Sequence, residues 1–299
     1  MTVPQLIDPP PGIDCVPEYE DGWIVTPGER VPFLSYVDAD TSVNWSAELE
    51  FLHEEASRSH FIDQWTRTAI VTCIGPLPAE AMIADVGCST GYLLEDLAEL
   101  HPDATLYGVD LISSGLRRAH QALPRARLLH ADACALPFAD ATVAALVSAN
   151  LLEHVPDDRR ALAEIARVLA PGRRAVIVVP AGPGTYDYYD RFLGHERRYG
   201  RGELAAKGRD AGLGVVGQRH IGALLYPAFW LVKKRNRIRH GELAGEALEQ
   251  QVTVDIGRTR DSRVGRMLWR LEDRLVAFGL RPGFGIRSLV VFCKPGSAL

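Results

Sequence analysis

Short apolar runs that each end in an acidic or amide side chain recur at regular intervals between residues 80 and 150. The side chains that end the four runs are Asp85, Asp110, Asp132 and Asn150. Between the runs, apolar residues return every three or four positions, as Leu93 and Leu97 do. Continuous apolar runs are typical of buried parallel strands, and the wider spacing is typical of amphipathic helices. The alternation therefore predicts an α/β fold built on a mostly parallel sheet.

The alternation continues toward the carboxyl end of the chain. Residues 157–169 predict an amphipathic helix that ends at Pro171-Gly172, and the apolar run 174–180 predicts the next buried strand. Later elements are predicted as a helix at 202–210, a strand at 215–225, a helix from Arg263 to Gly279 and a final strand at 286–294. On the helix that begins at Arg263, apolar residues and arginines occupy separate faces.

The first 80 residues differ from the repeat that follows them. Residues 1–40 are acidic and rich in proline, which is typical of an extended arm that lies over a surface. A helix is predicted from about Ser46 to about Ile74, so the arm leads into helical structure before the first strand. One face of this helix carries a polar stripe, made of His53, Ser57, His60, Gln64 and Thr68.

A glycine-punctuated turn follows the first apolar run, with the sequence Asp85-Val86-Gly87-Cys88-Ser89-Thr90-Gly91. Because Gly87 and Gly91 have no Cβ, the backbone can turn sharply and approach a ligand closely. The free amide groups at the start of the following helix point toward the same place. Asp110 lies 25 residues after Asp85, and an acid at the tip of the second strand can accept hydrogen bonds from two ribose hydroxyls. The spacing indicates a nucleotide-type ligand at the carboxyl ends of the strands.

Taken together, these pieces resemble the class I S-adenosylmethionine (SAM)-dependent methyltransferases. The resemblance covers residues 80–180 in the family's order, through the segments 85–91, Gly108-Val109-Asp110, Ala131-Asp132-Ala133, Asn150-Leu151-Leu152-Glu153-His154 and Arg167-Val168-Leu169-Ala170-Pro171-Gly172. It implies a Rossmann-like, seven-stranded, mostly parallel sheet with an antiparallel final strand, a helical N-terminal arm and a helical insertion before the last strand. The implied domains are an arm over 1–45, a SAM-binding domain over 46–225 and 286–299, and a cap over 226–285 that contributes to the acceptor site.

The resemblance also implies a set of residues that bind the cofactor, namely Asp85, Gly87, Cys88, Ser89, Gly91, Asp110, Leu111, Asp132, Ala133, Asn150 and Leu151. In that family, the residue at Asp110 holds the ribose and the residue at Asp132 holds the adenine amino group, while the glycine turn lines the methionine end. The family usually has a third glycine where this chain has Ser89. The Ser89 hydroxyl either contacts the ligand or is simply tolerated.

The implied activity is methyl transfer from SAM, with S-adenosylhomocysteine as the product, to a small-molecule, glycan or lipid-like acceptor of secondary or envelope metabolism. A SAM-binding protein that uses the cofactor for non-methylating chemistry or for regulation is the alternative. An NAD-dependent dehydrogenase is disfavoured, because Cys-Ser-Thr separates Gly87 from Gly91 and the G-x-G-x-x-G pattern is missing. The sequence has no Asn/Asp-Pro-Pro-Tyr-type segment of a nucleic-acid methyltransferase, so no nucleic-acid partner is expected.

The best candidate for an acceptor-binding loop follows the 174–180 strand, because a loop at a strand's carboxyl end faces the ligand crevice. Together with His60 of the polar stripe, its aromatic and basic side chains are expected to bind the acceptor: Tyr186, Tyr188, Arg197, Arg198 and Tyr199. A subset of bacterial methyltransferases that act on glycans, lipids or secondary metabolites has a similar His-x-Arg-Arg-Tyr segment. Two alternatives stay open: Arg197 and Arg198 bind carboxylates of the cap, and His60 lies on a solvated helix face.

Two histidines are candidate general bases. Transfer to an alcohol or phenol needs a base that works near neutral pH, and histidine is the usual choice. His154 follows the fourth strand and His195 lies in the loop after the fifth, so both are expected to face the crevice. A structural role for His154 is the alternative, since Glu-His is common at this point in the family whatever the acceptor. The sequence shows no cluster of metal ligands, so no metal is expected.

Charge and composition add expectations about partners and location. Residues 1–190 carry 12 Lys and Arg against 28 Asp and Glu, whereas residues 191–299 carry 21 against 10. The basic third therefore binds an anionic acceptor, a membrane surface or nucleic acid, or it neutralises the acidic part of the chain. An anionic acceptor is expected, and the oligomeric state stays open. A cytoplasmic protein with free thiols is also expected, because the five cysteines lack metal-type spacing, no apolar run approaches the ~18 residues of a membrane span and no signal peptide is recognised.

Overall fold

A computed structural model of the chain describes residues 6–38, 58, 60–240, 245, 247–248, 250–252, 254 and 262–296. The first elements are the strands β1 (Glu18–Tyr19), β2 (Trp23–Thr26), β3 (Glu29–Val31) and β4 (Phe33–Ser35). The central elements are α1 (Phe61–Val71), β5 (Met82–Val86), α2 (Tyr92–Leu100), β6 (Thr105–Asp110), α3 (Ser113–Ala122), β7 (Arg127–His130), β8 (Val143–Ala149), α4 (Asp158–Val168) and β9 (Leu169–Pro180). The last elements are α5 (Tyr188–Phe192), α6 (Glu203–Asp210), β10 (Gly214–Ile221), α7 (Tyr226–His240), α8 (Arg263–Ala277) and β11 (Arg287–Cys293).

Eight strands form the main sheet, in the order β10-β11-β9-β8-β5-β6-β7-β4. The strands β4 to β9 run parallel to one another, and β11 is antiparallel to both of its neighbours, β9 and β10. This confirms the predicted Rossmann-like α/β fold with an antiparallel final strand. The strand order reverses between β5 and β8, and in open α/β sheets ligands bind beyond the carboxyl ends of the strands at such a point.

The central strands are buried on both faces, as their continuous apolar runs predict. On β5, Ala84 and Val86 belong to one apolar cluster and Ile83 belongs to the other, because successive side chains of a strand point to opposite faces. Ile165 of α4 packs into the first cluster and Leu97 of α2 packs into the second. Every residue of β5 is buried, including the acid near its end. The packing therefore fixes the base of the crevice rigidly.

The N-terminal arm differs from the prediction, because its described residues form strands instead of a helix. The strands β1, β2 and β3 make a small antiparallel sheet, and β4 joins the main sheet beside β7, which raises the strand count from the predicted seven to eight. Trp23 is buried, and its indole N–H donates to the Leu128 carbonyl of β7 at 3.0 Å. An edge strand leaves backbone groups that need partners. The arm supplies those partners, although its composition gives no sign of it.

The helix predicted from about Ser46 to about Ile74 is interrupted at His60, and most of its first part, residues 46–57, lies outside the described residues. His60 has extended backbone angles (φ −68°, ψ 126°), and its Nδ1 accepts a hydrogen bond from the Ile62 amide at 3.3 Å. His60 therefore caps α1 instead of lying on one face of a continuous helix. His53 and Ser57 lie outside the described residues. Within the described part, the polar stripe is reduced to Gln64 and Thr68 on α1.

Helices α7 and α8 lie between β10 and β11, as predicted for the segment 226–285, and described residues between them, such as 250–252, are also helical. The strand β10 ends at Ile221, four residues before its predicted end, and the loop that follows leads directly into α7. Among the described residues, no helix is both long enough and apolar enough to cross a bilayer.

Candidate functional site

A cavity of about 880 Å³ opens at the carboxyl ends of the central strands. Its volume lies in the upper part of the range of small-molecule sites, which is roughly 300–1,000 Å³. One side of the cavity is formed by strand ends and the turns that follow them, and the other side by α1, α7 and the loop after β9. Eight of the predicted cofactor residues line it: Gly87, Ser89, Asp110, Leu111, Asp132, Ala133, Asn150 and Leu151.

The turn after β5 is held open by its glycine. Gly87 has a φ of 82°, and a Cβ at this position would lie 2.9 Å from the Cβ of Leu151. The amides of Gly87 and Cys88 both donate to the Val109 carbonyl, at 2.8 and 3.1 Å, which ties the turn to the end of β6. Ser89, which replaces the family's third glycine, also has a positive φ of 48°. The turn therefore keeps the sharp backbone path that a close approach to a ligand requires.

Asp110 joins this turn to the tip of β6. One carboxylate oxygen accepts a hydrogen bond from the Ser89 amide and the other accepts one from the Ile112 amide, each at 2.8 Å. A carboxylate has about four lone-pair sites, so these two bonds leave acceptor capacity for ligand hydroxyls. The geometry is compatible with the ribose-binding role that the resemblance implies for Asp110.

The third and fourth strand ends complete this side of the cavity. One oxygen of Asp132 accepts from the Cys134 amide at 2.8 Å, which orients the carboxylate beside Ala133. Asn150 has a φ of 53°, and its amide donates to the Val178 carbonyl of β9 at 2.9 Å. The carboxyl ends of parallel strands thus bring Asp110, Asp132 and Asn150 to one rim, as the spacing of the apolar runs predicts.

Asp85 lies beneath the glycine turn and is only 1% exposed. Its Oδ2 has no hydrogen-bond partner among the residues that the structure describes. Burial, together with the nearby charge of Asp110, raises the pKa of Asp85 to about 8. A buried carboxylate with an unused oxygen suits a cationic ligand, and SAM carries both an ammonium group and a sulfonium. The residues present therefore fit the cofactor that the resemblance implies.

Three predicted cofactor residues do not line the cavity, namely the buried Asp85, Cys88 and Gly91. The side chain of Cys88 packs in the apolar core, where its Sγ would lie 2.8 Å from a Cβ at Gly108. Gly91 begins α2 with a φ of 89°, and a Cβ there would lie 3.0 Å from the Cβ of Ala119. The contacts of Cys88 and Gly91 support the turn and its helix from the protein side, so a cofactor role for these two residues stays a prediction.

A buried group of charged side chains occupies the other side of the cavity. Asp190 Oδ1 lies 2.8 Å from His195 Nδ1 and accepts a hydrogen bond from Arg198 Nε at 2.6 Å. Asp190 is fully buried, and the side chains of His195 and Arg198 are 7% and 6% exposed. Lys233 of α7 donates to Asp187 at 2.6 Å and lies 3.7 Å from Asp190. Two acids therefore neutralise most of the positive charge in this region.

The environment keeps His195 in a form that can accept a proton. Burial lowers the pKa of His195, and the charges of Arg198 and Lys233 add to that effect, while the hydrogen bond with Asp190 opposes it. Burial alone would raise the pKa of Asp190, but its contacts with His195, Arg198 and Lys233 bring it below its ordinary value. An ionised Asp190 accepts the Nδ1 proton of a neutral His195, which leaves Nε2 as the basic atom of the ring.

Glu153, which the sequence prediction missed, lies beside the two candidate bases. It is fully buried, and neither carboxylate oxygen has a hydrogen-bond partner among the described residues. Burial raises its pKa to about 8. The rings of His154 and His195 meet edge to face, with centroids 4.7 Å apart. The sequence does carry a signal for Glu153, because an acid flanked by Leu152 and His154-Val155 interrupts an apolar segment.

The same three residues are the candidate metal ligands of the described chain. One ligand atom each from Glu153, His154 and His195 lies within 4.8 Å of the others. Arg198 and Lys233 lie nearby but are paired with Asp190 and Asp187, so the cluster offers one carboxylate and two imidazoles to a cation or to a proton.

The predicted acceptor residues fall into two groups. His60, Tyr188 and Arg198 line the cavity. The other three residues, Tyr186, Arg197 and Tyr199, do not line it, and we revise the prediction for them because the protein itself occupies their polar groups.

The contacts of these three residues hold the loop after β9 in place. The Tyr186 hydroxyl donates to the His195 carbonyl at 2.7 Å. Arg197 donates to the carbonyls of Val155 and Pro156, and the Tyr199 hydroxyl donates to Asp158 at 2.6 Å. Both arginines pair with carboxylates, Arg197 with Asp158 at 3.3 Å and Arg198 with Asp190, but these acids belong to the 46–225 domain and not to the cap that the alternative named. Arg198 combines this structural role with a place in the cavity wall.

Apolar residues of α7 and its neighbours form much of the acceptor side of the wall, namely Leu193, Leu225, Ala228, Phe229, Val232 and Ile286. Lys233 lies over the ring of Phe229, 5.5 Å from its centroid, which shields part of this charge from the cavity. Arg235 is exposed and also lines the cavity. A ligand on this side would meet an apolar wall with positive charge near its mouth.

Comparison with known proteins agrees with this geometry. A family model described as a methyltransferase domain matches residues 84–177. A trans-aconitate 2-methyltransferase of Azoarcus sp. is 36% identical over 122 residues, which cover 40% of this chain and 47% of that protein. An O-methyltransferase of Penicillium expansum is 32% identical over 180 residues, which cover 56% of this chain and 64% of that protein.

The fold is also similar to a solved structure of a phosphoethanolamine N-methyltransferase from Haemonchus contortus in complex with SAM. The TM-score is 0.57 at 17% identity, and the match covers 84% of this chain and 57% of that chain. At this identity, the likeness supports the fold alone. The chain spans about half of the length of the relatives that it matches, namely 47% and 53% of the length of two of them. The family match runs from β5 into β9, which is the part of the sheet that carries the glycine turn and the rim.

Proposed function

We propose that this chain, which belongs to the class I SAM-dependent methyltransferases, transfers the methyl group of SAM to an oxygen of a small-molecule, glycan or lipid-like acceptor. The observation that carries the proposal is the continuity of the cavity. The glycine turn and Asp110 line one side, and His195 with its Asp190 partner lines or adjoins the other. A cofactor and an acceptor bound on the two sides would meet within one cavity.

The residues that would hold SAM are those of the rim. Asp110 and Asp132 offer carboxylate oxygens to the ribose and to the adenine amino group, and Asp85 offers a buried negative charge to the cationic end. When bound, SAM supplies an electrophilic methyl group on a sulfonium. The protein then has to align the acceptor, exclude water and remove a proton.

His195 supplies the base in this proposal. Asp190 accepts the Nδ1 proton and holds the ring in the tautomer whose Nε2 is unprotonated, so Nε2 can take the proton of an acceptor hydroxyl. The lowered pKa of His195 keeps the ring neutral near pH 7. The ring of His154 meets this ring edge to face, which limits the directions in which the His195 ring can turn. His154 is therefore a positioning residue in the proposal, and its role as a second base is not needed.

The wall on the acceptor side favours an acceptor with an apolar body. Phe229 and Val232 would contact that body, and Tyr188 would border its reactive end. The sequence predicts an anionic acceptor, but Arg198 and Lys233 are already paired with Asp190 and Asp187. An anionic group of the acceptor would therefore be recognised at the mouth, where Arg235 is exposed.

The test combines binding with transfer. Isothermal titration should show SAM and S-adenosylhomocysteine binding to the wild-type chain, with a loss of at least about tenfold in affinity for Asp110→Asn, because the rim loses a charged acceptor. Labelled SAM with a panel of alcohols, phenols, glycans and polyprenyl or acyl amphiphiles should reveal transfer. His195→Gln should keep SAM binding and lose roughly 10²–10⁴-fold in the transfer rate.

His101→Gln is the matched control, because His101 lies at the end of α2, outside the cavity wall. It should leave both binding and transfer unchanged. Absence of SAM binding at millimolar concentration would remove the whole proposal. Tight SAM binding without transfer to any acceptor would instead favour the non-methylating alternative.

A further inference from the structure

Helix α8 presents its apolar residues outward. Val264, Met267 and Leu271 are spaced three and four residues apart and so share one face, and they are 63%, 61% and 45% exposed. Phe278, directly after the helix, is 90% exposed. A surface helix of a globular protein ordinarily turns such a face toward the core. In the part of the chain that the structure describes, this face has nothing packed over it.

The inward face of α8 combines a glycine, two acids and Trp269, which stacks on Trp65 with ring centroids 5.9 Å apart, and these contacts fix its orientation. Gly265 packs against Phe61, which would lie only 2.4 Å from a Cβ at that position. The Trp65 indole N–H donates to Asp273 at 2.9 Å. Glu272 is buried, and its two oxygens accept from the amides of Gly222 and Leu224, each at 2.9 Å. The helix cannot rotate its apolar face inward without breaking these contacts, so the outward face is built into the fold.

Positive charge accompanies the apolar face. Arg263, Arg270 and Arg274 are exposed, and together with Arg266 they border a shallow groove that also contains Met267 and Leu271. Every charged side chain around this groove is an arginine. An apolar row flanked by arginines on one helix is the pattern of helices that lie in the interface of a bilayer.

Helix α7 adds to the same character and reaches the cavity. Trp230, Leu231 and Ile238 are 41%, 62% and 78% exposed, and Lys234 lies 5.2 Å from the Trp230 ring centroid. The opposite side of α7 lines the cavity through residues such as Phe229. One helix therefore separates the acceptor side of the cavity from an exposed apolar and basic surface.

We propose that the outer face of α8, supported by the exposed residues of α7, docks on the surface of an anionic phospholipid membrane. The charge pattern selects this occupant over a second copy of the chain, because a two-fold contact would set the arginine row against itself. Anionic lipids attract each arginine, and the apolar row enters the headgroup boundary. A second consequence rests on the proposed function: an amphiphilic acceptor can pass from the membrane into the cavity beside α7.

Vesicle co-sedimentation of the full chain tests the docking. Vesicles of phosphatidylcholine alone are compared with vesicles that also contain phosphatidylglycerol, at low and high salt. We expect binding to the anionic vesicles that weakens as salt is added. Met267→Asp should reduce that binding by about tenfold or more, because it replaces a side chain that would be buried in the interface. Leu100→Asp is the matched control, since Leu100 is 58% exposed on α2, and it should have no effect.

Two arginine variants test the contribution of lipid charge to binding separately from that of apolar contact. Arg270→Gln should weaken binding to the anionic vesicles, whereas Arg209→Gln on α6 should not. No binding to either vesicle would overturn the proposal, and so would equal, salt-independent binding to both. Light scattering that shows a dimer, broken by Met267→Asp without any vesicle binding, would identify a second copy as the occupant. SAM titration of every variant keeps this test separate from the proposed activity and reports whether the variant is folded.

Discussion

Replacing Gly87 by alanine probes whether the turn after β5 is shaped for a ligand. A Cβ at this position lies 2.9 Å from the Cβ of Leu151, whereas carbon atoms in contact are about 3.5–4.0 Å apart. Either the turn or Leu151 must therefore move by roughly 0.6–1.1 Å. The φ of 82° adds about 1–2 kcal/mol of left-handed strain for a residue that has a Cβ. The substitution combines backbone strain with a displacement inside the cavity wall.

Gly212→Ala separates these two effects. Gly212 has a φ of 88°, and nothing lies within 4 Å of its Cβ position. Alanine there introduces the strain without the clash. Gly212→Ala should lose about 1–2 kcal/mol of unfolding free energy in urea titrations, and Gly87→Ala should lose at least as much, because the clash adds to the strain. Only Gly87→Ala should also weaken SAM binding, by at least about tenfold or 1.4 kcal/mol, because the displaced Leu151 lines the cavity.

Isothermal titration with SAM and S-adenosylhomocysteine decides the question. The reasoning fails if Gly87→Ala binds SAM within about twofold of the wild-type affinity while it shows the expected loss of stability. The turn could then shift without any effect on the ligand. A loss of affinity in Gly212→Ala would also contradict it, since that residue lies outside the cavity wall.

The buried carboxylates supply the remaining tests. Asp190→Asn removes the charge that Arg198 faces, and a buried charge without its partner costs about 3–5 kcal/mol, so the urea midpoint of unfolding should fall. Because the pKa of Asp190 is lowered, its contribution to wild-type stability is present at neutral pH. Circular dichroism should show that this contribution is lost as the pH falls below the ordinary range of Asp. Glu153 has a pKa of about 8, so the folded chain keeps a proton that the unfolded chain releases above a pH of about 4.3. The free energy of unfolding of the wild type should therefore fall between about pH 5 and 8, by up to about 1.4 kcal/mol per pH unit for this group. Glu153→Gln should remove this part of the pH dependence. Asp85 also has a pKa of about 8, and a bound cationic ligand lowers that pKa. SAM binding near pH 7 should therefore release protons, which isothermal titration detects as a binding heat that depends on the buffer. Asp85→Asn should abolish this proton release.

The rim of the site could be predicted because its residues follow from local patterns. Asp110 and Asp132 each end an apolar run, and the carboxyl ends of parallel strands meet at one edge whatever the details of packing. Their place in the structure depends only on the strands being parallel and adjacent. The alternation of strands and helices along the chain was sufficient for that prediction.

The acid–base cluster could be predicted only in part, because it depends on contacts between distant segments. His195 stood out as a histidine in a loop that faces the crevice, but its partner Asp190 was one of several acids in the same loop. The distinction between Arg198, which lines the cavity, and Arg197, which binds backbone carbonyls, depends on the direction of each side chain. The sequence does not reveal the side-chain directions of two adjacent arginines.

Long-range packing also explains the elements whose prediction from sequence was wrong or incomplete. The segment Phe33–Ser35 has only three residues, and it becomes a strand because the edge of β7 offers it backbone partners. The outward apolar face of α8 likewise follows from the buried contacts of Glu272 and Asp273. Periodicity revealed that face but not the direction in which it points.

The strand β4 covers the β7 edge a few residues from Asp132, and the Tyr36 amide just after it donates to the His130 carbonyl at 2.8 Å. A truncated version that starts beyond residue 36 would uncover a bare ladder of amides and carbonyls, which recruits strands from other molecules. A protein shortened in this way for crystallisation or for assays would therefore lose the acidic segment and aggregate through the exposed edge of β7. The truncation would also loosen the part of the cavity wall that Asp132 and Ala133 form, although no residue of β4 is expected to touch the cofactor.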